Sequence, residues 1–438
     1  MQVYRENQES SEWIRWGNDI LVSTGGDWTG QGVLSFNHDG TILAIGSRNT
    51  NASKGQVQVL QLQEDADADA DADADGIPQP QLWNLVGQII VGAQDGEHSG
   101  ASLQLSSDGS TLVIGSPFYD HEAGTQAEQI MIGRVTVWNY DGDANVWNQS
   151  AEIVGEAAGD EFGTDLALSA QADRLAIGAP SNDAVVVSSE NVFTSKQENV
   201  GHVRVYEYNT STLAWVQLGA DINGEKYLDY SGGSIAMSSN GARIAIGAYM
   251  NDGMSEANPL DNRGHVRVYE YDDGGTLNRW EQVWFDIDGE NPLDFSGGSI
   301  AMNENGSKLI VGAQNNDANG MEVRAGHARV FGFSATGWVQ IAEDLDGEEG
   351  KDMFGYSVAM SGDGERVVVG APAIARGDVN PDPGTVYVYQ LMDVALSTSP
   401  PSSSPPSTSS GSSHGGRFFH RVIGIVVGCG CVIMSTSM

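Results

Sequence analysis

Apolar and polar residues alternate along short stretches of this chain, and the pattern recurs along its length. In one copy, Ser234-Ile235-Ala236-Met237 and Arg243-Ile244-Ala245-Ile246 flank the pair Asn240-Gly241. A period of two residues is typical of strands with one buried face. Asp-Gly and Asn-Gly pairs favour tight hairpins because both residues tolerate positive φ. Each copy therefore predicts a hairpin of two strands, A and B.

Two further markers keep the same register as this hairpin. A glycine opens a third strand, C, of the form Gly-x-Val-x-Val, and a tryptophan marks a fourth strand, D. The glycines are Gly55, Gly133, Gly201, Gly264, Gly326 and Gly384, and the tryptophans are Trp83, Trp147, Trp215, Trp280 and Trp338. Four-stranded antiparallel units repeated in this way are typical of a β-propeller. We predict an all-β propeller with six blades, or seven if one is truncated.

The last unit has no tryptophan strand of its own, and we expect Trp13 to supply it and close the ring. We assign residues 1–394 to the propeller, with an acidic low-complexity loop at 64–76 inserted in the first blade. Residues 395–416 are rich in Ser and Pro and predict an extended stalk. Residues 417–438 form a short hydrophobic segment, for which we expect membrane attachment by a lipid anchor or a shortened membrane span.

The phenylalanine-glycine pairs of two units carry a family resemblance. Phe162-Gly163 precedes Gly178-Ala179-Pro180, and Phe354-Gly355 precedes Gly370-Ala371-Pro372. These units resemble FG-GAP repeats, as in the integrin α-subunit propeller and related cell-surface propellers. The resemblance spans roughly residues 10–392 and implies the propeller fold. Integrin-like propellers hold calcium in an Asp-x-Asp-x-Asp-Gly loop between strands A and B, but the A–B turns here have one Asp or Asn each, so that site does not carry over.

The formal net charge is −38. Nucleic-acid binding is excluded, because it needs Lys and Arg to displace counterions, whereas cations and basic partners are favoured. The N-terminus shows no signal peptide, and the chain begins inside a repeat, so we expect a truncated N-terminus. Four Asn-x-Ser sequons, at Asn51, Asn148, Asn209 and Asn305, suit a cell-surface or extracellular, membrane-tethered protein.

A repeated acidic motif in the D-to-A connections gives the candidate metal sites. Oxygen ligands that alternate along a glycine-containing loop suit Ca²⁺, the one cofactor we expect. The alternative is that these side chains only shape the turns. The three copies are Asp221, Asn223, Glu225 and Asp229; Asp286, Asp288, Glu290 and Asp294; and Asp344, Asp346, Glu348 and Asp352.

Three histidines occupy matching places at the start of strand C: His202, His265 and His327. We interpret them as half-exposed strand positions, because Gln56, Arg134 and Thr385 take the same place in other units. The chain has no His-Glu-x-x-His, no Gly-x-Ser-x-Gly, no phosphate loop and no zinc-ligand spacing. We therefore predict no catalytic residues.

The D–A and B–C connections emerge on one face of a four-stranded blade ring, which we call the loop face. Loops on a rigid scaffold are where binding concentrates. We predict a non-enzymatic binding or adhesion ectodomain with a protein or glycan ligand on the loop face. The alternatives are a calcium-assisted hydrolase with its site over the central channel and a metal-free intracellular scaffold.

Overall fold

The computed structural model describes residues 1–7, 13–20, 33–64, 81–122, 130–183, 185–187, 194–196, 198–253, 261–272, 279–317, 323–372, 384–391 and 419–424. These residues form six antiparallel sheets of four or five strands, each one blade of a propeller, and two separate hairpins. The predicted all-β, six-bladed fold is confirmed. The acidic run at 65–75 and the Ser/Pro-rich segment lie outside the described residues.

Within each blade the strands follow the order A–B–C–D from the axis outward. The A strands are Leu34–Phe36, Ser102–Leu105, Leu166–Leu168, Ser234–Met237, Ser299–Met302 and Ser357–Met360. The B strands are Ile42–Ser47, Thr111–Ser116, Arg174–Ala179, Arg243–Ala248, Lys308–Ala313 and Arg366–Ala371. The C strands are Gln56–Glu64, Arg134–Asp141, His202–Asn209, His265–Tyr271, His327–Ser334 and Thr385–Leu391. The D strands are Gln81–Leu85, Val146–Val154, Ala214–Gln217, Trp280–Gln282, Gly337–Gln340 and Phe419–Gly424.

Several short elements accompany the blades. In four blades a two-residue strand of the D–A connection returns to pair with strand C: Ile90–Val91, Ile222–Asn223, Ile287–Asp288 and Leu345–Asp346. Two separate hairpins join Tyr4–Glu6 with Trp13–Arg15 and Val185–Val187 with Thr194–Lys196. A single helical turn covers Thr50–Ser53.

The last blade does not take its fourth strand from the N-terminus. Phe419–Gly424 pairs with Thr385–Leu391 there, whereas Trp13 lies opposite Glu6 in the N-terminal hairpin. The prediction that Trp13 supplies the fourth strand of the last blade is therefore wrong, because the strand of Trp13 pairs with the N-terminal strand Tyr4–Glu6. Residues 419–424 of the segment predicted to attach to a membrane form this fourth strand. No described helix is long and apolar enough to span a membrane.

The N-terminal hairpin lies between the sixth and first blades. The indole Nε1 of Trp83 donates to the Trp16 carbonyl at 2.8 Å, as that of Trp280 donates to the Leu218 carbonyl of the preceding blade at 3.0 Å. On the other side, Arg366 of the sixth blade lies 2.8 Å from the carboxylate of Glu6. The hairpin thus occupies the place of the outer half of a blade and connects the two ends of the ring.

The hydrophobic core lies between neighbouring blades. One cluster joins Ala176 and Val203 of the third blade to Ile235, Ile244 and Ile246 of the fourth. Ile244 and its equivalents in strand B are fully buried, and each such side chain contributes about 1.5–3 kcal/mol to folding. Every blade therefore depends on the next for its buried face.

The A strands surround a central channel with a cavity of about 370 Å³. Apolar side chains from all six blades line it, including Leu34, Leu103, Leu166, Ile235, Ile300 and Val358. At the A–B turns, backbone hydrogen bonds run from blade to blade, such as His38 N–H to the Ser107 carbonyl at 2.9 Å and Ser107 N–H to the Ala170 carbonyl at 3.0 Å. Such hydrogen bonds link the A–B turns in order from the first blade to the sixth.

The glycine that opens strand C lets two backbone segments approach closely. Gly326 has φ of +78° and forms a parallel bridge with Phe354 of the next connection. A Cβ atom added at Gly326 would lie 2.1 Å from the Phe354 carbonyl oxygen. No side chain fits there, and the left-handed backbone is also unfavourable for any other residue.

We predict that Gly326→Ala destabilises the fold strongly. The left-handed conformation alone costs about 1–3 kcal/mol for a residue with a side chain, and the overlap with Phe354 adds to it. Gly142→Ala is the control, since its nearest non-adjacent atom would be 3.7 Å away and its φ is not positive. Urea unfolding checks both variants; equal stabilities of Gly326→Ala and Gly142→Ala would contradict this account.

Candidate functional site

The acidic motif of the D–A connection is held against the start of strand C. The N–H of Gly224 donates to the Gly201 carbonyl at 2.8 Å, and Gly289 and Gly264 repeat this contact at 2.8 Å. A Cβ at Gly224 would lie 2.1 Å from the Val200 carbonyl oxygen. The motif contains glycine because of this close approach, and the approach brings the acidic loop next to the first residue of strand C.

The last acid of each motif shapes its own loop. Asp229 accepts the backbone N–H of Lys226 at 2.8 Å, Asp294 that of Asn291 at 2.8 Å, and Asp352 that of Glu349 at 3.0 Å. Asp229 and Asp294 are also buried. These hydrogen bonds correspond to the alternative interpretation, in which the acids of the motif shape the turns.

The first acid of each motif accepts a hydrogen bond from the glutamine four residues earlier. The distances are 2.6 Å for Asp221, 2.7 Å for Asp286 and 2.7 Å for Asp344. Asp221 also binds both Nε and Nη2 of Arg204 at 2.8 Å, and this hydrogen bonding lowers the pKa of Asp221. The loop oxygens therefore do not converge on one point within a motif.

The remaining acids face the histidines of strand C. Asn223, Asp288 and Asp346 lie in the short strands, opposite His202, His265 and His327 in register. The carboxylates of Glu225 and Glu290 approach His265 and His327 of the next blade, with Oε2 to Nδ1 distances of 4.0 and 3.9 Å. In the sixth blade the position of the histidine is occupied by Thr385. Glu348 lies in the connection before that blade, as Glu225 and Glu290 do before theirs.

The three histidines are buried, so our interpretation of them as half-exposed is wrong. Their exposed fractions are 1 % for His202, 1 % for His265 and 2 % for His327. Burial lowers the pKa of His265 to about 3 and those of the other two to about 4.

Among the described residues, two groups bring possible metal-ligating atoms within 4.8 Å of one another: Glu156, His202 and Asp221, and Glu225, His265 and Asp286. Each group combines the connection before a blade, its strand C and the connection after it. The shared register of histidine and motif was the signal in the sequence that could have revealed these groups.

A second polar region lies where the D–A connections turn into the A strands. Five equivalent residues there have left-handed backbones with φ of 53–58°: His98, Glu161, Tyr230, Phe295 and Met353. Non-glycine residues in this conformation are uncommon and concentrate at functional sites. We call the loop-face end of the channel, defined by these five residues, the channel mouth.

Aromatic side chains cover one side of the channel mouth. The ring of Tyr249 lies 5.8 Å from that of Tyr230 and 6.1 Å from that of Phe295, centre to centre. Burial raises the pKa of Glu161. Burial raises the pKa of Tyr230, and the negative charge of Glu161 raises it further. The carboxylate of Glu161 therefore acts electrostatically on the aromatic group.

Asp165 departs from the repeat at the start of strand A. Four other blades have serine there, and three of these serines donate to a glycine carbonyl of the next blade, as Ser234 does to Gly297 at 2.6 Å. The carboxylate of Asp165 instead accepts the N–H of Ile235 at 2.7 Å. Burial raises its pKa to about 7, although backbone N–H groups oppose the shift. Leu166, the next residue, lines the channel cavity.

The opposite end of the channel carries one ion pair. His38 Nδ1 lies 3.3 Å from a carboxylate oxygen of Glu304, and both residues line the cavity. Their side chains are 62 % and 49 % exposed. Solvent screens this pair, in contrast to the carboxyl group of Asp165.

Residues 341–389 match the FG-GAP repeat, which confirms the predicted repeat for this part of the chain. No curated protein matches the chain in sequence. The periplasmic gluconolactonase of Pseudomonas aeruginosa has a similar structure, with a TM-score of 0.53 at 15 % identity over 89 % of this chain and 88 % of that one. A protein of Bacteroides uniformis, provisionally assigned as a 6-phosphogluconolactonase, has a TM-score of 0.52 at 11 % identity over 90 % and 88 %.

Our predictions of a non-enzymatic adhesion domain and of no enzymatic activity are contradicted by these neighbours. Both similar propellers are named as lactonases, so the missing sequence motifs do not argue against catalysis on this fold. At these identities the likeness shows the fold alone and does not identify a reaction for this chain. The protein or glycan ligand and the calcium sites stay predictions.

We predict that Asp165 makes the fold less stable as pH rises from about 4 to 7. An unfolded Asp loses its proton near pH 4, whereas the folded one keeps it until about pH 7. The folded state binds more protons in this interval, so the free energy of unfolding falls with rising pH. Asp165→Ser removes this decline. Urea unfolding from pH 4.5 to 7.5 measures it, and parallel curves for both proteins would show that the pKa of Asp165 is not raised.

Proposed function

We propose that this protein is a hydrolase that opens small cyclic esters at the channel mouth. The observation that carries the proposal is Asp165, a carboxyl group with a pKa of about 7 in place of a structural serine beside the channel cavity. A general base works best when its pKa lies near the working pH. Perturbed carboxyl groups next to a cavity mark functional sites more often than structural ones.

The chemistry assigns one step to each of two carboxyl groups. Asp165 removes a proton from a water molecule while the water oxygen attacks the ester carbonyl carbon. The bond from that carbon to the ring oxygen then breaks, and the ring oxygen takes a proton from Glu161, a carboxyl group whose pKa is raised by burial. The product is a hydroxy acid, and proton exchange with water restores both groups.

The remaining residues of the site suggest the substrate class. The side chains of the channel mouth suit a single sugar-sized ring. Tyr230, Tyr249 and Phe295 offer an apolar wall for one face of that ring. The net charge of −38 disfavours phosphorylated substrates, so we propose a neutral lactone. The names of the two similar propellers support a lactone as the substrate class.

An extracellular or periplasmic location is part of the proposal. It is supported by the periplasmic origin of one similar propeller. Membrane tethering through residues 417–438 stays a prediction.

We predict that Asp165→Ser lowers kcat/KM for gluconolactone by about a hundredfold or more, because general base catalysis contributes about that much. The substitution introduces the residue that four other blades have at this position, so we expect the fold to persist. Circular dichroism will verify this. Hydrolysis is followed by acid release, with the spontaneous rate subtracted.

His38→Gln is the matched control, since it changes the other end of the same channel and should leave the rate unchanged. Full activity of Asp165→Ser together with loss in His38→Gln would place the reaction at the A–B end. No enzymatic turnover of gluconolactone, 6-phosphogluconolactone or a simple aliphatic lactone by the unaltered protein would reject the proposed function.

A further inference from the structure

We propose that Glu225, His265 and Asp286 form a binding site for one transition-metal ion of the Zn²⁺ type, separate from the channel mouth. The three side chains come from the connection before the fourth blade, its strand C and the connection after it. Their ligand atoms lie within 4.8 Å of one another. This geometry brings one nitrogen and two carboxylate oxygens around a common point.

The imidazole of His265 is the observation that points to a ligand. Its side chain is 1 % exposed, and neither ring nitrogen has a hydrogen-bond partner. Leaving such a group unpaired costs about 1–3 kcal/mol. Nδ1 faces Asp286 Oδ2 at 3.8 Å and Glu225 Oε2 at 4.0 Å. These distances are too long for hydrogen bonds but suit atoms that share an ion.

The equivalent place in the second blade shows what this position accommodates. Arg134 stands where His265 does, and its guanidinium lies 3.0 Å from Glu97 and 3.6 Å from Glu152. A fixed positive charge therefore occupies this position in one blade. In the fourth blade carboxylates also lie beside this position, but the side chain between them is an imidazole, so an ion would supply the positive charge.

The third blade provides an internal contrast. There Arg204 binds Asp221 with two hydrogen bonds of 2.8 Å and also pairs with Glu156. The two carboxylates beside His202 thus already share a close cationic partner. In the fourth blade, Arg267 reaches only Glu225, at 3.7 Å, and donates to the Asn223 carbonyl at 2.7 Å. The His265 group therefore retains more of its negative charge for a cation.

The donor set selects the class of metal. One imidazole and two carboxylates suit Zn²⁺ and neighbouring transition metals, whereas Ca²⁺ prefers oxygen ligands only. Side chains of Glu225 and Asp286 are 40 % and 29 % exposed, which leaves an open side for entry and for a water ligand. A bound ion would tie two connections to the blade between them and stabilise the ring.

The test compares thermal unfolding and calorimetric binding of the full chain, purified without a histidine tag and treated with chelator. ZnCl₂, MnCl₂, CaCl₂ and MgCl₂ are added at equal ionic strength. We expect one Zn²⁺ per chain and a rise in Tm of several degrees at a hundredfold excess over Kd. Co²⁺ absorption in the visible range reports on the coordination directly.

His265→Gln, which carries the residue found at position 56, should abolish the Zn²⁺ increment, and Asp286→Asn should do the same if the first variant folds poorly. His202→Gln is the control and should retain the increment. Equal Zn²⁺ responses of the unaltered protein, His265→Gln and Asp286→Asn would overturn the proposal. So would stabilisation by Ca²⁺ alone, which would indicate an oxygen-only site.

Discussion

The structure depends on the close backbone approach between each D–A connection and the strand C beside it. Glycines on both sides make this possible, as in the contact of Gly224 with Gly201 at 2.8 Å. The contact fixes the connection, and the connection leads directly into the next A strand. The loop face and the wall of the channel are therefore set by the same glycine pair in successive blades.

Functional chemistry arises where single blades depart from the shared pattern. A serine that ties one blade to the next is replaced by Asp165, and the carboxyl group gains a pKa near 7 at the channel. At His265 neither imidazole nitrogen has a hydrogen-bond partner, and the carboxylates beside it lack the two hydrogen bonds that Arg204 gives to Asp221 in the third blade. In both cases the strands of the blade keep their pairing. A repeat protein can thus acquire a site in one blade without losing its fold.

The blades themselves could be predicted from the sequence because their signals are local. Asn240-Gly241 and its equivalents determine hairpins within a few residues, and Gly326 marks the start of a strand by its position in the unit. Closure of the ring could not be predicted from the sequence. The strand of Trp13 could pair either with the N-terminal strand beside it or with strand C of the last blade, and only the three-dimensional arrangement decides between them.

The sites were harder to predict for a similar reason. His265 lies 40 residues beyond Glu225 and 21 before Asp286 in the chain, and nothing in a two-residue period states which face of strand C is buried. The raised pKa of Asp165 likewise depends on its burial in the folded protein, which the N–H of Ile235 in the next blade only partly opposes. The sequence marks Asp165 only as a departure from serine.

The pH dependence of lactone opening by the unaltered protein tests the central claim most directly. If Asp165 is the base, kcat/KM should rise with pH through a midpoint near 7, after the spontaneous reaction is subtracted. A profile that is flat from pH 5 to 8, or one with its midpoint near 4, would show that an ordinary exposed carboxylate or no carboxylate is involved and would contradict the account.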